Sequence, residues 1–175
     1  LLSILSGLLF GLSWPVNGIV FLIFIAFVPL LIIEKELREK SVVKIYFYSF
    51  LSFILWNSIT SWWLINSTVF GMFFAIILYS LLMALVFTSY SLISRKLGNK
   101  LGVIFFISSW IVFEKFNLSW EFSWPSLILG NVFSESYKLI QWFEFTGTFG
   151  GTLWVLVINL MLSLIHISEP TRRRG

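Results

Sequence analysis

The sequence predicts an all-α membrane protein, a polytopic helix bundle of about six transmembrane helices with an outward-facing aromatic segment that is re-entrant or interfacial. Two observations support this fold class. Of the 175 residues, 58% are hydrophobic and only 11% are charged, whereas a soluble domain is about 25% charged. The apolar residues form long runs, and the basic residues cluster between the runs. This composition excludes a soluble globular enzyme and a disordered chain.

Six apolar segments, separated by breaks of two kinds, account for the predicted helices. The breaks at 34–44 and 95–100 are charged, whereas those at 13–18 and 61–67 carry no charge. A helix needs about 20 apolar residues to cross a bilayer, so the first segment is expected to be a membrane helix that lacks its start. The segments are 1–12, 18–33, 43–60, 68–93, 101–117 and 149–167.

The distribution of basic residues predicts the orientation in the membrane. Seven of the Lys and Arg residues lie in the two charged breaks, and loops rich in Lys and Arg stay on the cytoplasmic side. The sequence therefore predicts a multi-pass protein of the cell inner membrane with a cytoplasmic N-terminus. The uncharged breaks and the long break before the last segment are predicted to face outward.

The last residues of the chain indicate where the natural sequence is expected to end. The run Leu162–Arg172 looks like the translation of a sequencing adapter. We therefore expect a transmembrane helical domain over residues 1–161, incomplete at both ends, and an artefactual tail over residues 162–175. Such scars are excluded from fold reasoning.

The long break between the last two segments is rich in aromatic residues. Trp120, Trp124 and Trp142 lie in it, and Glu144 follows shortly after. Indole rings suit the membrane interface, because one edge is polar and the rest of the ring is apolar. We interpret these four residues as a substrate-facing, lipid-handling surface. The alternative is an ordinary aromatic belt that fixes the depth of the helices.

Few residues in the sequence are suited to catalysis. The chain has no Cys, no Asp and one His, which excludes a thiolate nucleophile and leaves little from which to build a metal site or a Ser-His-Asp triad. No catalytic residue, metal ligand or cofactor is predicted, and the basic clusters mark topology rather than nucleic-acid binding. Glu114 and Lys115 are expected to be an interfacial pair, and Asn57 and Asn66 are expected to hydrogen-bond between helices.

The order and spacing of several short motifs resemble the N-terminal membrane domain of the apolipoprotein N-acyltransferases. The resemblance extends along residues 1–161. Its motifs are Gly11-Leu12-Ser13-Trp14-Pro15 with Gly18; Trp110 and Phe113-Glu114, leading to Trp124-Pro125 and Leu129-Gly130; and Ile140-Gln141, Glu144 and Thr146-Gly147, leading into the last span.

The resemblance implies a function. Enzymes of this family transfer an acyl chain from a membrane phospholipid to the N-terminal cysteine of diacylglyceryl lipoproteins. An outward-facing nitrilase-like domain supplies a Glu-Lys-Cys triad, whose thiolate takes the acyl group as a thioester. Because this chain has no Cys, no catalytic residue carries over, and the chain alone is expected to be inactive. The implied partners are the phospholipid donor, the lipoprotein acceptor and the bilayer.

Two other functions remain open from the residues alone. A small multi-pass transporter would need ionisable groups and broken helices near the middle of the membrane, and the spans are poor in both. A non-catalytic scaffold protein would need neither feature. The downstream reading frame would separate these alternatives from an acyltransferase.

Overall fold

The computed structural model is a bundle of six α-helices, and it describes residues 1–14, 18–123 and 125–168. All regular secondary structure in those residues is helical, so the predicted all-α fold class is confirmed. The helices are α1 (Leu2–Ser13), α2 (Val28–Leu37), α3 (Val42–Ser61), α4 (Val69–Leu97), α5 (Asn99–Asn117) and α6 (Phe143–Ser168). Short 3₁₀ helices cover Val20–Ile25, Trp62–Asn66, Pro125–Leu127, Leu129–Phe133 and Tyr137–Leu139.

Three stretches of the described chain are long and apolar enough to cross a membrane, judged by length and composition. They are Val42–Asn66, Val69–Leu97 and Phe143–Ile165. Helix α1 is a shorter apolar helix. Helix α5 is 19 residues long, and at 1.5 Å per residue it extends about 28 Å, close to the roughly 30 Å thickness of the hydrocarbon core.

Local capping explains where the two central helices begin. The Ser41 hydroxyl accepts a hydrogen bond from the Lys44 N–H at the start of α3, at 3.3 Å. The Thr68 hydroxyl does the same for the Gly71 N–H at the start of α4, at 3.4 Å. Each cap satisfies a backbone donor that the first turn of a helix leaves unpaired.

The second apolar segment is broken, whereas the sequence predicted one continuous span over residues 18–33. A 3₁₀ helix ends at Ile25, and α2 begins at Val28 with Pro29 in its first turn. Two side chains from other helices satisfy the backbone at this break. The Ser6 hydroxyl donates to the Ala26 carbonyl at 2.5 Å. The Asn159 amide accepts from the Phe27 N–H and donates to the Ile23 carbonyl, both at 2.8 Å.

Helix α3 lies between α1 and α4, α4 packs on α5, and α6 packs on α2, α5 and the 3₁₀ helix Val20–Ile25. Helices α1 and α3 approach closely at a G-x-x-x-G motif formed by Gly7 and Gly11. A Cβ atom on Gly7 would lie only 2.7 Å from the Ser52 carbonyl oxygen. Small residues at such an interface allow the close packing that joins helices in lipid, where the hydrophobic effect does not.

The centre of the bundle is a set of interlocking aromatic rings. The Phe10 ring stacks on Trp56 at 4.5 Å between centroids, and its edge meets Phe27 at 4.7 Å. Phe27 in turn meets Trp110 edge to face at 5.0 Å. Rings from α1, α3 and α5 thus enclose Phe27 at the break of the second segment. Trp56 and Trp110 are core residues, in contrast to the exposed Trp62 of the outward break.

The charged break begins later than the sequence predicted, because α2 continues to Leu37. Glu34, which was expected in the cytoplasmic loop at 34–44, is buried, with 1% of its side chain exposed. Arg38 lies one turn later and contacts both carboxylate oxygens, at 2.6 and 2.7 Å. Arg38 also donates to the Asn99 side chain at the start of α5. The hydrogen bond to Glu34 raises the pKa of Arg38 above its usual value.

Polar contacts between helices agree with one of the two predictions. Asn57 of α3 is buried and donates to the Ser80 hydroxyl of α4 at 2.9 Å, which confirms its predicted interhelical hydrogen bond. Asn66 lies in the 3₁₀ helix Trp62–Asn66 and is exposed.

Candidate functional site

The segment that joins α5 to α6 forms the candidate site. It contains the 3₁₀ helices Pro125–Leu127, Leu129–Phe133 and Tyr137–Leu139. Leu129 and Phe133 are fully buried, so the segment packs into the end of the bundle. The Tyr79 hydroxyl of α4 donates to the Phe122 carbonyl at 2.9 Å and holds the start of the segment. The long break between the last two apolar segments is therefore a folded element rather than a plain loop.

A buried carboxylate holds the middle of this segment. Glu114 of α5 is 2% exposed. Its Oε1 accepts the Leu129 N–H at 2.8 Å and the Trp110 indole N–H at 3.1 Å. Its Oε2 accepts the Thr152 hydroxyl of α6 at 2.6 Å. One side chain thus joins α5, the segment and α6.

The segment also approaches the backbone of α6 very closely. The Gly130 N–H donates to the Thr152 hydroxyl at 3.2 Å. A Cβ atom on Gly130 would lie 2.0 Å from the Thr148 carbonyl oxygen. A residue with a side chain at position 130 would therefore separate the segment from α6.

Helix α6 begins earlier than predicted and contains a break. The sequence placed the last span at 149–167, whereas the helix begins at Phe143. Gly147 has a positive φ of 64° and interrupts the helical backbone, a conformation that glycine adopts without steric cost. The first turn, with Glu144 in it, is therefore set apart from the long membrane-spanning part.

Two of the predicted site residues, Trp120 and Trp142, lie in two separate aromatic clusters. The Trp120 cluster contains Trp120, Phe116, Phe122 and Phe74. Trp120 lies 5.1 Å from Phe116 and 5.5 Å from Phe122, and Phe122 lies 5.3 Å from Phe74 on α4. The Trp120 indole nitrogen is buried and has no hydrogen-bond partner in the described part of the chain.

The Trp142 cluster contains Trp142, Phe143, Trp154, Phe133 and Phe24. Trp142 meets Phe143 at 4.8 Å and Trp154 at 5.8 Å. Trp154 stacks on Phe133 at 5.2 Å, and its ring also meets Phe24 at 4.8 Å. The Trp142 indole N–H donates to the Leu139 carbonyl at 3.0 Å, which fixes the orientation of the ring.

A shallow, open apolar groove runs along the N-terminal half of α6 beside Trp142. Its volume is about 460 Å³, and its lining offers no polar surface. The lining residues are Trp142, Gly150, Leu153, Trp154 and Val157. All of them except Trp142 lie within the candidate membrane span Phe143–Ile165.

Among the described residues that were predicted for the site, Trp142 alone lines this groove. Trp120 lies in the other cluster, and Glu144 is exposed on the first turn of α6. Trp124 lies outside the described residues. The expectation that Glu114 is an interfacial side chain is wrong, because it is buried and hydrogen-bonded to three donors. Lys115, its expected partner, is exposed.

Three further residues were missed, namely Phe133, Thr152 and Trp154. They belong to the site because Phe133 contacts Trp154 and Gly130 contacts Thr152, which joins the segment to α6. The only sequence signal for this network is a carboxylate inside an apolar segment, which marks a functional candidate by default because its burial is costly. The partners of that carboxylate lie 15 and 38 positions further along the chain, too far for any local pattern to identify.

Comparison with known proteins identifies the family to which the chain is similar. Residues 6–161 match the family model described as the apolipoprotein N-acyltransferase N-terminal domain. A curated relative, the apolipoprotein N-acyltransferase of Chlorobaculum tepidum, is 26% identical over 174 residues, which cover 97% of this chain and 32% of the relative. The chain thus spans about a third of the length of the relative it matches. No solved structure matches the chain. Because the family match extends over most of the sequence, the chain belongs to the apolipoprotein N-acyltransferase N-terminal domain family.

Proposed function

We propose that the chain is the membrane domain of an enzyme that transfers an acyl chain from a phospholipid to the N-terminal cysteine of diacylglyceryl lipoproteins. The observation that carries the proposal is the family match over residues 6–161. The curated relative is named for the same transferase activity. We further propose that residues 162–175 are a sequencing scar, because the run Leu162–Arg172 resembles a translated adapter.

In this proposal the chain supplies the lipid-facing surface and another part of the protein supplies the nucleophile. The chain has no Cys and so cannot form a thioester. Its own contribution is to bind and orient acyl chains beside the outer surface. We therefore expect the chain alone to show no transfer activity.

The groove beside Trp142 supports a role in binding the acyl chain. A purely apolar groove along a candidate membrane span suits a hydrocarbon chain and offers nothing to a polar substrate. The rigid rings of Trp142 and Trp154 give contact area at low cost in conformational entropy. Trp120 packs on Phe116 in the neighbouring cluster, with its indole nitrogen buried, and in this proposal it supports the same lipid-facing surface. We propose that Trp124 and Glu144 complete this substrate-facing surface.

The proposed orientation places the outer segment opposite the basic loops, with the N-terminus in the cytoplasm. Lys40 and Lys96 are exposed near the ends of α2 and α4, and Ser134 is exposed in the outer segment. Single Cys residues at Lys40 and Lys96 are expected to resist an impermeant thiol reagent in intact spheroplasts, and a Cys at Ser134 is expected to react. Permeabilised cells, in which all three should react, provide the control. The reverse pattern would contradict the proposed orientation.

The substitution Trp142→Leu tests the proposed lipid-handling role. In the complete enzyme, transfer of an acyl chain to a diacylglyceryl peptide is expected to fall about twofold to tenfold. The substitution removes the contacts of the Trp142 ring with Phe143 and Trp154, and an aromatic pair is worth about 0.5–1.5 kcal/mol beyond its buried area. Expression and membrane insertion are expected to stay normal. The rate is measured by mass spectrometry of the peptide product.

The matched control is Trp62→Leu. Trp62 is also an outward Trp, but it is 63% exposed in the 3₁₀ helix Trp62–Asn66, away from the groove. The substitution Trp62→Leu should leave the transfer rate unchanged. Equal rates in both variants and the wild type would mean that the rings act only as an aromatic belt.

A further inference from the structure

The hydrogen bonds around Glu114 identify its carboxylate as an acceptor of three donors. The Leu129 N–H and the Trp110 indole N–H can only donate. The Thr152 hydroxyl accepts from the Gly130 N–H at 3.2 Å and donates to Glu114 Oε2 at 2.6 Å. Burying a carboxylate is costly, and three donors offset that cost. Two of these donors come from outside α5, one from the segment and one from α6. The arrangement fixes the position of two consecutive backbone N–H groups, those of Leu129 and Gly130.

The Leu129–Gly130 backbone is connected to the groove beside Trp142 by one short 3₁₀ helix. The 3₁₀ helix Leu129–Phe133 starts at the residue that Glu114 holds and ends at Phe133. Phe133 stacks on Trp154 at 5.2 Å, and Trp154 contacts Trp142 at 5.8 Å. Trp154 and Trp142 line the groove. A shift of the 3₁₀ helix would therefore move the aromatic wall of the groove.

We propose that Glu114 is a positioning residue for acyl-chain binding, acting together with Thr152. Its carboxylate docks the segment on α6 and so sets the position of the Trp142 and Trp154 rings. The proposal rests on the proposed function and deepens it, because it assigns the groove to the acyl chain of the phospholipid donor. Glu114 does not touch the substrate, and its effect passes through Phe133.

Two substitutions at Thr152 give a matched test. Thr152→Val keeps the shape of the side chain and removes the hydroxyl that joins Glu114 to Gly130. Thr152→Ser keeps the hydroxyl and loses only a methyl group. Glu114→Gln replaces one acceptor oxygen with an amide that brings a donor to a site already filled with donors. Glu121→Gln is the control for a change of carboxylate to amide, because Glu121 is exposed in the same segment.

The experiment measures the KM for a defined phospholipid donor and the kcat of acyl transfer in the complete enzyme. We expect KM to rise about fivefold to tenfold in Glu114→Gln and Thr152→Val, with kcat within about twofold, because a binding surface has been displaced. Thr152→Ser and Glu121→Gln should keep the wild-type KM. A loss of folded protein lowers the apparent kcat and leaves KM unchanged, so KM separates a positioning role from a structural one.

Each result decides between defined alternatives. If the wild-type enzyme transfers no acyl chain, the proposed function is wrong and the positioning role is wrong with it. If the wild type is active and Thr152→Val keeps a normal KM, only the positioning role is overturned. Thr152→Val also decides the question if Glu114→Gln does not fold, since it leaves the carboxylate with its two N–H donors.

Discussion

Replacing Arg38 by Met is expected to lower the free energy of unfolding by about 2–3 kcal/mol, less than the roughly 3–5 kcal/mol typical of a fully buried ion pair, because 15% of the Arg38 side chain is exposed. Glu34 is 1% exposed and is contacted through both oxygens by Arg38. Met fills much of the same volume but leaves the Glu34 charge without a counter-charge. The loss is measured as the change in unfolding free energy during denaturant titration in detergent micelles.

A second ion pair in the same region is the matched control. Arg95 contacts Glu39 at 3.3 Å, but their side chains are 46% and 72% exposed. Exposed pairs contribute about 0–1 kcal/mol, so Arg95→Met should change stability by no more than that. The double variant Glu34→Gln with Arg38→Met should recover part of the loss, because it removes the stranded charge. Equal effects of Arg38→Met and Arg95→Met would contradict the argument from burial.

Replacing Asn159 by Leu is expected to cost about 3 kcal/mol, because each buried polar group left without a partner costs about 1–3 kcal/mol. Asn159 accepts from the Phe27 N–H and donates to the Ile23 carbonyl, both at 2.8 Å. After the substitution the Ile23 carbonyl keeps only the long 3.4 Å bond from the Ala26 N–H. The N–H of fully buried Phe27 loses its acceptor. Unfolding of the detergent-solubilised protein measures the effect.

The control for this prediction is Asn57→Leu, a change of the same chemistry at another buried position. The Asn57 Oδ1 has no partner within the described residues, and Ser80 keeps its own bond to the Ile76 carbonyl at 2.6 Å. Hydrogen bonds between side chains of membrane helices average about 0.6 kcal/mol. Asn57→Leu should therefore cost less than about 1 kcal/mol. A cost equal to that of Asn159→Leu would show that the backbone bonds at the break are not the cause.

Local patterns predicted the helices and their order well. The thickness of the bilayer sets the length of an apolar run, and the caps at Ser41 and Thr68 lie where the polar breaks end. The break after Ile25 was missed, because it depends on Asn159, which lies more than 130 positions along the chain. Glu34 was assigned to the loop because its neighbours are charged. Its spacing of four residues from Arg38 is the signal that could have placed it on the helix.

The candidate site was predictable in composition but not in arrangement. The aromatic residues of the outer segment were found from the sequence, and they were interpreted as one surface. The structure separates Trp120, which packs toward α4, from Trp142, which packs on α6. That division depends on where Glu114 and Gly130 dock the segment. Neither contact is visible in the periodicity of any one helix.

The contact between Asn159 and the broken second segment has a consequence for biogenesis. Helices α3, α4 and α5 mostly pack on α1 and on one another, which leave the ribosome in close succession, so these contacts can form during synthesis. The Phe27 N–H receives its acceptor only when α6 has been made, after the other five helices. Until then this donor lies in an apolar environment where an unpaired backbone group costs several kcal/mol. The backbone hydrogen bonds of the second segment are therefore completed only when α6 inserts.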